Sequence, residues 1–504
     1  MKYLYIIICI VLMILIVGCP KKNKAPEMPS KPKGPPIGQI NVSYDFSTVA
    51  TDPDGNDIAY QFYWGGDTSD WSDFVSSGES ITMSKSWSSA NTYSIKARAE
   101  DKNGKISEWS EPHSILISAQ TMWTKTFGGS GYDGGSSVQQ TTDGGYIIAG
   151  WKSSNGNRDY YIIKTNSVGE TLWTRTFSSG FAMFAQQTTD DGYIITGRAL
   201  APNMDLIKLN SNGTFLWGKG YEDASFNSVQ QTSDDGFIIC GVKYNNDGDI
   251  YLVKTDANGD TNWTKSFDFG NDDYGHTVQQ TSDGGYIISA GTGSMQPAKV
   301  CLIKTDANGN EVWRRIFYGS DIWYVDWFSS VQQTTDGGYI ITTTTQTFGA
   351  GEEDIYLIKT DTNGDTIWTK TFGGAGYDEG YSVQQTSDGG YIIVGTKSDG
   401  SYDDVYLIKT DASGNMVWTK TYGKSGWYDG GYCVKQTSDG GYIIVGETQS
   451  YGAGESDVLL IKTDANGNTI LPSEKSGLSK SSSLKSHSLF RNRMGKFAEF
   501  INRK

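Results

Sequence analysis

The chain has 504 residues, with 57 acidic against 42 basic side chains and a net charge of −15. Residues 1–36 carry +5 and residues 472–504 carry +6, so the body between them holds −26, which repels phosphate backbones and argues against nucleic acid as a partner. Three widely separated His leave little material for a His-built zinc site or a Ser-His-Asp triad. Of five Cys, two belong to the leader, and Cys240, Cys301 and Cys433 read as small buried hydrophobes.

Lys2 precedes an apolar run from Tyr3 to Val17, 15 residues and short of the roughly 20 that span a bilayer as a helix. It ends in Ile16-Val17-Gly18-Cys19. Residues 1–19 resemble a bacterial lipoprotein signal with its lipobox, and the resemblance implies a lipid on Cys19 that anchors an exported protein to a membrane. Residues 20–36 hold six of the eleven Pro and five Lys. That composition predicts an extended linker of roughly 50 Å at about 3.1 Å per residue.

Residues 37–118 alternate apolar and polar positions between turn signals, with strands expected in INVSYDFSTV, DIAYQFYW, ESITMSKSW, TYSIKARAED and HSILIS. Trp64, Trp87 and Trp109 are expected to fill a β-sandwich. The words ATDPDG (50–55), YQFYWG (60–65) and YSIKARA (93–99) resemble the fibronectin-III/PKD-like immunoglobulin-fold modules of surface proteins, with a departure from the PKD pattern at Gly65-Gly66-Asp67. Asp52, Asp54 and Asp57 are close enough to converge on a hard cation, so Ca²⁺ is the one cofactor considered; the competing role is shaping a turn.

Residues 119–471 repeat. Trp123, Trp173, Trp217, Trp263, Trp313, Trp368 and Trp418 recur at spacings of 44–55 residues, each unit adding a Q-Q-T word (once K-Q-T) and an apolar block ending like I-K-T. Such a period, rich in short strands, signals a propeller or a solenoid. Each unit suggests four strands, as in GYSVQQT, YIIVGT, DVYLIKT and MVWTKTY of 380–422. Asp-Gly-Gly or Asp-Asp-Gly joins the first two and Asp-x-Asn-Gly or a near relative the last two, both tight-turn signals. Each Trp strand therefore belongs with the I-K-T block before it. The segment then opens on a lone Trp strand and ends on three strands lacking one, a complementary deficit that predicts a ring of seven blades closed by both ends.

The expected fold class is all-β: a seven-bladed, four-stranded β-propeller preceded by a small immunoglobulin-like sandwich. The arrangement resembles the quinoprotein-type propeller family. The words W-T-K-T-F-G-G, Q-Q-T-x-D-G-G-Y-I-I and Y-L-I-K-T-D-x-x-G-N resemble a repeat family of secreted bacterial and archaeal proteins, a resemblance that implies a fold and a cellular address but no activity.

In that order of strands, the short, uniform turns share one face of the disc. The second-to-third and fourth-to-first loops share the other, and they vary. Variation on a repeated scaffold marks the expected recognition surface, with Tyr132, Trp323, Trp327, Tyr377, Trp427 and Tyr428 as candidate ligand contacts to a sugar or peptide. Gly129-x-Gly131-x-x-Gly134 matches a dinucleotide fingerprint but leads into a strand, and is set aside. Residues 472–504 form a basic Ser-rich tail, expected to be solvated or to end in a short amphipathic helix. No catalytic constellation stands out, so the chain is expected not to be an enzyme. It is read as a monomeric, lipid-anchored envelope protein binding a protein or glycan. The alternatives are an envelope assembly scaffold and a polysaccharide hydrolase or lyase.

Overall fold

The computed structural model describes residues 22–472 apart from short segments at 41–42, 119–121, 155–156, 178, 200–203, 245–247, 271, 293–298, 318–328 and 399–401. Every helix or strand element among the described residues is a strand, so no helix there is long and apolar enough to cross a membrane. The chain divides into two compact units, Met1–Gln120 and Thr121–Lys504. Both the lipobox at Cys19 and the basic tail lie outside the described residues.

In the first unit, alternation yields two sheets. Ile37–Gln39, His113–Ser118, Asn91–Asp101 and Ile58–Tyr63 form one, and Tyr44–Val49 pairs with Ser80–Lys85 in the other. Phe46, Phe62, Trp64, Trp87, Ile95 and Ile117 share one core, with Trp64 stacked on Phe62 at 4.9 Å. Trp109, expected inside, is half exposed, and the Arg98 guanidinium covers its ring at 4.6 Å.

The Pro-rich segment also departs from expectation. From residue 22 onward it is bound along the module and is no free spacer. Pro26, Pro29 and Pro32 are buried, while the N–H groups of Glu27, Ser30 and Lys33 donate to the carbonyls of Thr51, Val49 and Ser47. Both sets repeat every third residue, the period of a polyproline II helix. One face of the segment packs while another covers the free edge of Tyr44–Val49.

In the second unit each repeat forms one antiparallel four-stranded sheet, and seven such sheets are arranged like blades among the described residues. The first strand of each ends on the Gln pair of the Q-Q-T word (Lys-Gln in the last sheet), from Asp133–Gln140 in the first sheet to Asp429–Gln436 in the last. Beside it runs a strand such as Tyr339–Thr345 or Tyr442–Thr448, buried at every position because other sheets cover both faces. The I-K-T strand follows, then the Trp strand, with Lys254 opposite Trp263. The last sheet takes its Trp strand from the start of the unit: Trp123 lies opposite Lys462 and Phe127 opposite Val458.

Three contacts recur in register. Within each sheet the Lys of I-K-T is buried and reaches the Asp of the Asp-Gly-Gly or Asp-Asp-Gly turn at 2.8–2.9 Å, from Lys164–Asp143 to Lys462–Asp439. Burial pushes Asp190, Asp234, Asp283 and Asp388 up, but the ammonium, a Thr hydroxyl and a turn N–H outweigh it and hold each at about 2.

Between sheets, each Trp meets an aromatic of another sheet edge-on at 5.5–6.1 Å, and Trp123 of the last sheet meets Tyr146 of the first. The same indoles lie against the glycine turns. Gly309 has φ +76, and a Cβ there would sit 2.6 Å from the Trp263 ring, so both backbone conformation and space demand glycine.

The third contact is a clasp. The second Gln of each Q-Q-T or K-Q-T word accepts, through Oε1, a backbone N–H of another sheet at 2.8–2.9 Å. The set runs from Thr142 N–H on Gln187 to Ser438 N–H of the last sheet on Gln140 of the first.

Candidate functional site

The first strands of all seven sheets line one cavity of about 490 Å³. Two rows of side chains define it, three residues apart along each strand, or about 10 Å.

The first row lies at the turn end. Gln139, Gln186, Gln230, Gln279, Gln332 and Gln384, each the first Gln of its Q-Q-T word, are half-buried. Each accepts through Oε1 the N–H of the second Gln of another sheet at 2.6–2.8 Å. That use of Oε1 leaves the carboxamide –NH₂ groups with no hydrogen bond to the described residues. At the seventh position stands Lys435, which cannot accept a hydrogen bond. The junction of the last and first sheets therefore has one clasp where the other junctions have two. The Lys435 ammonium, half-buried and lining the cavity, has no ion pair among the described residues.

The second row is built by a β-bulge. Pairing skips one residue between Gly135 and Ser137, and at the matching place in five further sheets. The skipped residue and Gln139, three positions on, would face opposite sides of a regular strand; the bulge lets both line the cavity. Here the repeat breaks down. Ser136, Asn227, His276 and Ser329 are polar, whereas Met183, Tyr381 and Tyr432 supply an aromatic and thioether wall. Phe181 and Trp151 extend that wall toward the variable loops, with ring centroids 5.8 Å apart.

Asn227, His276 and Ser329 are held by hydrogen bonds. Arg198, fully enclosed, grips Asn227 Oδ1 through Nε at 3.1 Å and Nη2 at 2.8 Å, while Asn227 Nδ2 donates to the Gly275 carbonyl at 2.8 Å. The Ser329 N–H donates to His276 Nδ1 at 3.2 Å, which leaves the ring proton of the neutral imidazole on Nε2. Burial, reinforced by the Arg198 charge, pushes His276 down to about 3, so it is neutral in water. Its Nε2 and the Ser136 Oγ are buried without a hydrogen-bond partner among the described residues.

The residues singled out from sequence fare differently. Tyr132 and Tyr377 are half-buried at equivalent places of two sheets, bridging to Ser456 and Glu353. Trp427 is also half-buried. Tyr428 does not belong to a surface: it is buried, with its hydroxyl 2.8 Å from that of Tyr432. Trp323 and Trp327 lie outside the described residues.

The acid beside Tyr132 is structural. Asp133 is fully buried and accepts the N–H groups of Gly129 at 2.6 Å and Ser153 at 2.8 Å, and burial raises it despite those bonds.

In the first unit Asp52, Asp54 and Asp57 serve separate partners. Asp52 Oδ1 accepts the N–H groups of Asp54 and Asn56, Asp54 accepts the N–H of Lys24, and Asp57 pairs with Lys102 at 2.6 Å. Among the described residues no group of three or more His, Cys, Asp or Glu is placed to hold a metal. Asp52 Oδ2 is buried without a hydrogen-bond partner among the described residues.

Sequence reading passed over the bulge row. Its signal is the residue three before the first Gln (or Lys435) of each word, which varies while its neighbours repeat.

No family model matches the chain, and no curated protein does. Solved structures do. A PKD domain of an M14-like peptidase from a Thermoplasmatales archaeon is 33% identical over 19% of this chain and 98% of its own, with a TM-score of 0.18. A protein of unknown function from Bacteroides thetaiotaomicron is 11% identical, covering 88% of this chain and 99% of its own, at a TM-score of 0.37. A mutant Synechocystis apocarotenoid oxygenase is 9% identical over 70% of this chain and 96% of its own, at 0.38. The oxygenase overturns the expectation that the chain is not an enzyme, since a catalyst stands among the proteins it is similar to. At that identity the likeness assigns no chemistry.

Proposed function

We propose that the seven sheets close into a seven-bladed β-propeller carried by an immunoglobulin-like module. In this reading a lipid on Cys19 tethers the protein in the cell envelope, where the variable-loop face binds an envelope protein or glycan. Closure is supported by the Trp123–Lys462 pairing and by the Ser438–Gln140 clasp between last and first sheets. The observation that carries the binding function is the contrast between strictly repeated turns and the diverse loops that hold Tyr132, Tyr377 and Trp427 half exposed.

The test uses the full chain on arrays of envelope glycans and proteins. Replacing Tyr132, Tyr377 and Trp427 together by Ala is expected to weaken the strongest interaction by about tenfold or more while leaving thermal unfolding in place. Unchanged binding by that variant refutes the assignment of the face. Labelled fatty acid incorporated by the wild type and lost in Cys19→Ser tests the tether.

A further inference from the structure

The axial cavity is lined differently from the acidic body around it. Residues 37–471 carry −26, yet no Asp or Glu is among the described residues that line the cavity. What it presents at the turn end is hydrogen-bond donors, six carboxamide –NH₂ groups and one ammonium; further along the strands His276 and Ser136 also line it, each with a buried polar atom that has no partner among the described residues. The Arg198 guanidinium adds positive charge behind Asn227. Met183, Tyr381 and Tyr432 add an apolar wall with aromatic faces, the Tyr381 hydroxyl donating behind it to the Glu379 carboxylate.

We propose that this cavity binds a small sugar carboxylate of the uronate type. The carboxylate sits at the Gln collar beside Lys435, the ring oxygens face His276 and Ser136, and an apolar face of the sugar lies on the tyrosine wall. Three observations select this class over its neighbours. A cation is repelled by Lys435 and finds no carboxylate on the lining residues. A bare inorganic anion is satisfied at the collar alone and leaves the buried His276 donor and Ser136 hydroxyl without a partner, a cost that a ligand reaching both rows removes. A purely apolar ligand strips water from the amides and returns nothing. The volume, about 490 Å³, lies in the range of small-molecule sites and suits a mono- or disaccharide.

Lys435 supplies the decisive contrast, because it is the one departure from Gln in the row. A Gln there would accept the Gln140 N–H and complete the set of clasps, so Lys at this place forgoes a structural bond and leaves a charge facing the cavity. The Gln collar lies at the turn end, apart from the loop-face reading above.

The experiment is calorimetric titration of the full chain, at low salt, with D-glucuronate, glucose and inorganic phosphate. Glucuronate is expected to bind about tenfold or more tightly than either of the others. Lys435→Gln is expected to bring glucuronate down to the level of glucose while thermal unfolding stays put or rises, since the variant gains a clasp. Gln230→Glu, which sets a carboxylate in the collar, is expected to lose glucuronate as well. Glucuronate binding no better than glucose, phosphate binding as tightly, or a Lys435→Gln protein that binds unchanged each overturns the proposal.

Discussion

The turn side and the loop side of the repeat body use the same residue types for different ends. On the turn side an Asp closes each hairpin and steadies a buried Lys, as the mostly exposed Asp388 does for Lys409, while Asp439 of the last sheet is itself largely buried. On the loop side an Asp at the start of a first strand, such as Asp133 or Asp378, is wholly buried and gathers the N–H groups of its own loop. The turn side is repeated nearly without change, and the loop side is not. A repeated scaffold thus has one side where every residue answers to the neighbouring sheet, and another where only the anchoring Asp does. The cavity brings the two together: six sheets give its first row a Gln, and a single deviation, Lys435, gives it charge.

The largest effect expected from breaking this comparison is deletion of Met122–Phe127. The last sheet then lacks its fourth strand, and cooperative thermal unfolding of the second unit, followed by far-ultraviolet circular dichroism, should be lost. Removing a comparable length from a variable loop should leave one sharp transition.

A matched pair of glycines sharpens the contrast. Gly309→Ala meets both a positive φ and the Trp263 ring and should cost about 2–4 kcal/mol. Gly270→Ala, on the loop side, also at positive φ but with nothing near its Cβ, should cost about 1 kcal/mol. Chemical denaturation of both variants measures the difference.

Acid acts chiefly on the turn side. Asp190, Asp234, Asp283 and Asp388 are held at about 2, below the value for an unfolded chain of about 3.9. Their contribution is complete above pH 4 and is lost as pH falls through about 2, so the melting temperature should drop steeply across that window. A melt that stays level from pH 5 to pH 2 removes the ion pairs from the account.

The smallest effect concerns a single clasp. Gln230→Leu strands the Gln280 N–H and should cost about 1 kcal/mol, whereas Tyr377→Ala should change stability by less than about 0.5 kcal/mol.

Much of this was legible in residues. Turn glycines and the spacing of Trp against I-K-T fix the strand order, because hairpin geometry leaves few alternatives. The Lys–Asp pairs were in plain view as two repeated words, but spacing alone does not say that a side chain turns inward to meet a turn. The bulge row escaped for a stronger reason: alternation by two puts Ser136 and Gln139 on opposite sides, and only an inserted residue lets both line the cavity. Tyr428 escaped because a loop aromatic and a wall aromatic look alike in sequence. The Pro-rich segment escaped because its period of three is also that of a free polyproline strand.

The pairing of Trp123 with Lys462 spans 339 positions of chain. The first strand of the second unit to leave the ribosome must therefore wait for almost the last before it finds its place. Until synthesis has passed residue 463 the final sheet lacks a member, and the early strand stays extended and available. Joining the two ends of the unit is thus the last strand pairing that synthesis permits.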